Sequence, residues 1–201
     1  IIVGTIAGAR LGHVIFYEPQ VFLQDPLEVL AIWHGGLASH GGALGIIAAL
    51  FWFHWKHKGY GVTWLFDRLA IVAAVSGMCI RLGNLMNSEI IGKPTDGSWG
   101  FWFVRVDPVL LPRHPTQLYE AALCLGLFIL SYWMYKRGAA FEQPGRIIGA
   151  FLVLLFTGRF FIEFLKERQV DFEASLPIDM GQILSIPFVA LGVYFLMKRT
   201  R

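Results

Sequence analysis

Four short stretches hold most of the side chains able to bind an anion or move a proton, and each borders an apolar run. The first is His34-Gly35-Gly36-Leu37-Ala38-Ser39-His40-Gly41-Gly42, in which a His-Gly-Gly unit occurs twice. Paired glycines let the backbone approach a ligand or a neighbouring helix closely, and an imidazole can accept a proton near neutral pH. Glycines also serve helix packing, and a histidine can simply bond a carbonyl; the repetition favours a functional reading. The second stretch is Arg81-Leu82-Gly83-Asn84-Leu85-Met86-Asn87-Ser88-Glu89. A helix continuing through it places Arg81, Asn84 and Ser88 on one face. A guanidinium at membrane depth donates two parallel bonds and suits phosphate, or else acts as an interfacial anchor that snorkels to water.

The third stretch is Arg113-His114-Pro115-Thr116-Gln117-Leu118-Tyr119-Glu120. Pro115 suits a helix start, and an acid in the first turns suits the positive end of the helix. Glu120 is therefore read as structural. The fourth is Gly158-Arg159-Phe160-Phe161-Ile162-Glu163, followed by Lys166, Glu167 and Arg168. Arg159 and Glu163, four apart inside an apolar helix, are expected to pair on one face. Such pairing makes burial tolerable and leaves the arginine available to a second anion. A purely structural ion pair is the alternative.

Other chemistries find no support. The chain holds no HExxH, CxxC, GxxxxGK[ST] or GxSxG motif, and the spacing of His34, His40 and Glu89 matches no common zinc arrangement. Neither metal nor cofactor is expected. Cys79 and Cys124 both fall inside apolar segments and read as small core residues.

The elements that must position these residues are membrane helices. Of 201 residues 56% are hydrophobic and only 15% charged, with a mean hydropathy of +0.57; a soluble domain has about 25% charged residues. A net charge of +3 with no basic stripe excludes a nucleic acid partner. A spanning helix needs about 20 mostly apolar residues. Six segments approach this: the N-terminus to about Tyr17, then 42–55, 64–80, 118–135, 147–165 and 183–197. No period-two alternation suggests a β-barrel, so the fold class expected is an all-α polytopic membrane bundle, with 1–201 as a single transmembrane domain. Basic clusters at Lys56/Lys58, Lys136/Arg137/Arg146 and Lys198/Arg199/Arg201 fall on one side of the alternating spans. The opposite loops carry most of the acids. The positive-inside rule then puts the C-terminus in the cytoplasm and the polar motifs on the outer face. The 89–113 segment, with Trp99 and Trp102, is expected to lie at the membrane surface.

HGGLASHGG, RLGNLMNSEIIGKPTD, RHPTQLYE and GRFFIEFLKER, in this order, resemble the bacterial prolipoprotein diacylglyceryl transferase family over nearly the whole chain. The resemblance implies a multi-pass inner-membrane enzyme of seven spans, with its site toward the periplasm. The six segments then fit a copy lacking the first span and part of the second, with a functional tyrosine of the family expected upstream of Ile1. It further implies transfer of the diacylglyceryl group of phosphatidylglycerol to the lipobox cysteine thiol of a preprolipoprotein, with release of glycerol 1-phosphate. By resemblance His40 is the essential histidine, Arg81, Asn84, Glu89 and Gly92 match needed positions, and Arg159 and Glu163 match an essential pair. In chemical terms His40 would accept the thiol proton, Arg81 and Arg159 would hold the phosphate, Asn84 would orient the lipid and Glu163 would fix Arg159. Activation of the thiol by an arginine stays open. The competing class is a transporter or binding protein for an anionic solute, which also uses Gly-broken helices and mid-membrane arginines. No inverted repeat supports it. A membrane scaffold would leave the clusters without purpose.

Overall fold

The computed structural model describes residues 1–167 and 179–198. Arg168, Arg199 and Arg201, named above, lie outside the described residues.

Eight α-helices are formed among the described residues: α1 (Ile2–Tyr17), α2 (Val21–Gln24), α3 (Ser39–Lys56), α4 (Val62–Met86), α5 (Thr116–Lys136), α6 (Ala139–Glu142), α7 (Arg146–Glu163) and α8 (Met180–Met197). The six long ones coincide with the six apolar segments within three residues at each end, except that α4 runs six residues past 80. α4, α5 and α8 are long and apolar enough to cross a membrane, and α1 is a shorter apolar helix. α7 has 18 residues but includes Arg146, Arg159 and Glu163, so polarity rather than length sets it apart. Regular strands are absent among the described residues; the only sheet-like pairings are isolated bridges. The chain is an all-helical membrane protein.

Its contacts divide it into two units, Ile1–Leu65 and Phe66–Arg201. In the first, α1 packs on α3 through glycines. Gly4, Gly8 and Gly12 recur every four residues on α1, and Gly41 and Gly45 repeat that spacing on α3. A Cβ at Gly4 would lie 2.8 Å from the Gly45 carbonyl oxygen, and one at Gly12 would lie 2.7 Å from the Gly41 Cα. Any side chain there would force the backbones apart, so small residues set this close crossing. The second His-Gly-Gly unit thus does serve packing through Gly41. In the first, Gly35 and Gly36 have φ of 85° and 65°, a left-handed conformation that glycine adopts without penalty, and a Cβ at Gly36 would also meet Arg10 Nη1 at 2.7 Å.

Those two glycines belong to a strap that Arg10 holds. Arg10 is 4% exposed. Its Nη2 donates to the Glu28 carbonyl at 2.6 Å, its Nη1 to the Gly35 carbonyl at 2.8 Å and its Nε to the Val29 carbonyl at 3.3 Å. A buried guanidinium is tolerated when its donors are satisfied, and here one side chain of α1 satisfies carbonyls along residues 28–35.

The second unit has its apolar core where α4, α5, α6, α7 and α8 meet, around Ala70, Ala74, Leu127, Ala140, Ile147, Ile148, Phe151 and Leu152, with Phe195 against it. Phe156 of α7 and Phe188 of α8 stack with centroids 4.4 Å apart. Asp67, fully buried on α4, accepts the backbone N–H of Gly145 and of Ile148, both at 2.8 Å. It therefore satisfies orphan donors at the start of α7 and explains an acid near the beginning of an apolar helix. Of the two cysteines, both free, Cys124 is buried but Cys79 is exposed, so only one is a core residue.

Candidate active site

Residues 87–115 connect α4 to α5 and border the site, with Ile90 in its wall. α4 ends at Met86 because the next residues leave helical geometry: Ser88 and Ile90 have φ of 58° and 56°. Arg81 and Asn84 thus share a helix face as expected, but Ser88 does not join them. From this turn the chain forms short antiparallel bridges, Gly92 with Lys166 and Pro94 and Phe101 with Arg113. Gly92 must be glycine for steric reasons, because a Cβ there would meet the His114 Cβ at 2.7 Å and Thr116 Cγ2 at 2.9 Å.

Arg113 anchors the same segment. Its Nε and Nη2 donate to the two Asp107 carboxylate oxygens at 2.6 and 3.1 Å, and its Nη1 donates to Glu167 at 2.8 Å. This bidentate pairing, a strong class of hydrogen bond, holds the Asp107 carboxyl below the usual range, chiefly through the Arg113 hydrogen bond. A depressed folded-state pKa contributes stability above the ordinary aspartate value of about 3.9, lost as pH falls through the folded value. Asp107→Asn is accordingly expected to increase protease cleavage within 92–113 at neutral pH. Acidifying the unaltered protein below about pH 4 should do the same. Equal cleavage of variant and unaltered protein at pH 7 would show that this pairing is idle.

Beside that segment runs a chain of charged groups. Arg81 on α4 places Nε 2.9 Å from Glu120 Oε2, and its Nη1 donates to Asn84 Oδ1 at 3.3 Å. Asn84 Nδ2 donates to Glu89 Oε2 at 2.6 Å. On the other side, Lys166 Nζ donates to Glu120 Oε1 at 2.8 Å and to Glu163 Oε2 at 3.0 Å. The Arg81–Glu120 contact is an ion pair by distance, yet no N–H is aligned on Glu120 Oε2, which remains without a hydrogen bond. Gln117, fully buried on α5, ties the segment down by donating to the Glu89 carbonyl at 2.6 Å.

Two expectations are corrected here. Glu163 is not the partner of Arg159: it pairs with Lys166, and among the described residues Arg159 has neither hydrogen bond nor ion pair. An α-helix sets Arg159 and Glu163 near each other, but the turn after α7 swings Lys166 back onto Glu163, and the lysine, at 4% exposure, takes that carboxylate. Glu120 is not a helix-end acid. It is the fifth residue of α5, 5% exposed, and lies between two cations. Removing one member of such a buried pair strands the other charge, at a cost of about 3–5 kcal/mol. Sequence reasoning missed Lys166 and undervalued Glu120; the available signal was that both are charged residues bordering apolar helices.

Arg81, Arg159 and Glu163 all line one pocket of about 210 Å³, with Lys166, Ile90, Met180 and Gly181 among its other walls. Asn84 and Glu89 join it indirectly, through Arg81. Gly92 contributes backbone, bridged to Lys166. His40 belongs to the first unit. It is the second residue of α3, exposed, with Phe16 edge-on at 5.1 Å and Tyr17 at 6.0 Å between ring centroids. Among the described residues it has no polar partner. Groups of three or more His, Cys, Asp or Glu side chains placed to hold a metal ion are absent among the described residues.

Apolar helices around a pocket lined by Arg81, Arg159 and Lys166 together with Glu163, Glu167 and Asp179 define a membrane protein with a polar, charge-rich site. The model of the prolipoprotein diacylglyceryl transferase family matches residues 1–198. The chain is 47% identical over 203 residues to the phosphatidylglycerol–prolipoprotein diacylglyceryl transferase of Chloroherpeton thalassium, covering all of this chain and 74% of that protein. It is 49% identical over 197 residues to that of Tolumonas auensis, covering 98% and 75%, and 44% identical over 213 residues to that of Porphyromonas gingivalis, covering 100% and 75%. The chain belongs to the prolipoprotein diacylglyceryl transferase family.

Proposed function

We propose that this protein transfers the diacylglyceryl group of phosphatidylglycerol to the thiol of the lipobox cysteine of a preprolipoprotein. The observation that carries the reading is the pocket of Arg81, Arg159 and Glu163 in a chain that matches this transferase family along 1–198. The carbon–oxygen bond between the diacylglyceryl group and phosphate breaks, and its electron pair leaves with the phosphate oxygen. A carbon–sulfur bond forms and the thiol proton is lost, so the products are a thioether and glycerol 1-phosphate.

The nucleophile comes from the peptide, and a free thiol of pKa near 8.5 needs help to ionise. In this reading His40 accepts that proton as general base. The phosphodiester carries one charge and its product gains a second, so the arginines act where charge develops. Arg159 meets the phosphate with its whole guanidinium fork. Arg81 meets it with Nη2, since Nη1 donates to Asn84 and Nε lies 2.9 Å from Glu120 Oε2 as an ion pair. Glu89 holds Asn84, and Gly92 lets the bordering segment pack closely. Residues 1–201 act as one transferase domain of a multi-pass protein in the bacterial inner membrane, with the C-terminus cytoplasmic and the site toward the periplasmic leaflet, where both substrates are presented.

The test is reconstitution of the full chain in vesicles containing labelled phosphatidylglycerol, with a lipobox peptide added. Thioether-linked lipid on the peptide cysteine is expected. Uptake of an anionic solute with no lipidated peptide would replace this reading with transport.

A further inference from the structure

Arg81 can serve a phosphate only if its guanidinium is kept from collapsing onto a carboxylate, and a buried carboxylate lies 2.9 Å from its Nε. What shares that carboxylate is Lys166. Its Nζ takes Glu120 Oε1 at 2.8 Å and Glu163 Oε2 at 3.0 Å, and it is 4% exposed. It is also fixed at the backbone: the Lys166 N–H donates to the Glu163 carbonyl at 3.1 Å, and the adjacent Glu167 N–H donates to the Ile91 carbonyl at 3.1 Å. Lys166 is thus held on both sides, by the turn after α7 and by the segment that borders the site.

Resting on the phosphate-binding reading above, we propose that Lys166 is a positioning residue: by holding Glu120, it keeps Arg81, a wall of the pocket, from pairing fully with that carboxylate. The physical reason is competition for one carboxylate. Glu120 in a buried setting needs a cation. With Lys166 on Oε1, Arg81 meets Oε2 through Nε alone and without an aligned N–H, and its Nη1 bonds Asn84 instead. Without Lys166, Arg81 is the one cation left beside Glu120 among the described residues, and the strongest available arrangement is a two-oxygen fork with Arg81. That fork would use the donors now left for phosphate. Lys166 likewise occupies Glu163, the nearest carboxylate on the helix of Arg159, and so leaves Arg159 unpaired among the described residues.

A purely structural lysine and a positioning lysine differ in what happens when Glu120 is also changed. Lys166→Met is expected to lower kcat/KM for phosphatidylglycerol at least 100-fold. Adding Glu120→Gln removes the charge that captures Arg81, and the double variant is expected to recover at least tenfold over Lys166→Met. A double variant as poor as Lys166→Met or poorer, or a Lys166→Met protein within threefold of the unaltered one, overturns the proposal. Lys166→Arg retains the charge and tests the idea should the Met variant fail to fold. It is expected to stay within tenfold of the unaltered protein, and a folded Lys166→Arg protein with no transfer also overturns it. Binding of glycerol 1-phosphate, measured calorimetrically on the same proteins, separates this proposal from the function it rests on. Absence of transfer in the unaltered protein refutes the proposed function. The order unaltered, double variant, Lys166→Met in phosphate binding tests the positioning alone.

Discussion

Arg159→Ala is expected to reduce diacylglyceryl transfer by about 10²–10³-fold, the loss typical of deleting one group that stabilises developing charge, while leaving the protein as stable as before. The combination is unusual for an arginine in an apolar helix and follows from the partners. Had Arg159 been the counter-ion of Glu163, its removal would strand a carboxylate inside the protein and cost about 3–5 kcal/mol. Glu163 is instead held by Lys166 at 3.0 Å, and Arg159 stands unpaired among the described residues on the wall of the pocket. Arg159→Lys keeps the charge but loses the planar fork that meets two phosphate oxygens at once, so its transfer should fall between the two. Initial rates in phosphatidylglycerol vesicles, with thermal unfolding in detergent beside them, make the measurement. An Arg159→Ala protein that transfers at the unaltered rate would remove this arginine from the mechanism. One that is inactive because it unfolds would assign it to structure.

His40→Ala is expected to lower transfer by about 10²–10⁴-fold, the range for loss of a general base, again without loss of fold. His40 is exposed, and its described neighbours are the rings of Phe16, edge-on, and Tyr17, tilted, rather than a hydrogen-bonding group. Truncating it creates no cavity in a packed core and orphans no buried atom. The packing at this end of α3 is done by the next residue, Gly41, against α1. The variant should regain rate when the peptide thiol is supplied already ionised at high pH. Full activity of His40→Ala at neutral pH would end the base assignment and favour activation of the thiol by an arginine.

Much of this was legible in the residues. Apolar runs of near-spanning length located all six long helices, because in lipid a helix satisfies its own backbone groups and the run length is set by the bilayer. Arg81 with Asn84 followed from helical spacing alone, and their hydrogen bond at 3.3 Å is local. The same reasoning failed at Ser88, where the left-handed backbone at Ser88 and Ile90 stops the helix one turn early. It failed at Glu163 because helical spacing describes only neighbours on the helix. Lys166 lies past the end of α7, and the turn there decides its direction. The Gly-rich motif divided in a way that composition could not show: Gly41 serves the α1–α3 crossing, while Gly35 and Gly36 shape the strap bonded by Arg10.

The sequence by itself determined that this is a helical membrane protein with arginines, a histidine and carboxylates bordering its apolar segments, since those facts depend on residue type and near-neighbour spacing. Only the tertiary structure decided which charge answers which. Lys166 and Glu120 are 46 residues apart, and Glu120 lies beside Arg81 on a different helix. A buried charge takes the partner nearest in space, and distance in space between helices is set by packing rather than by spacing along the chain. It is that packing which gives Glu163 to Lys166 and leaves Arg159 for the phosphate.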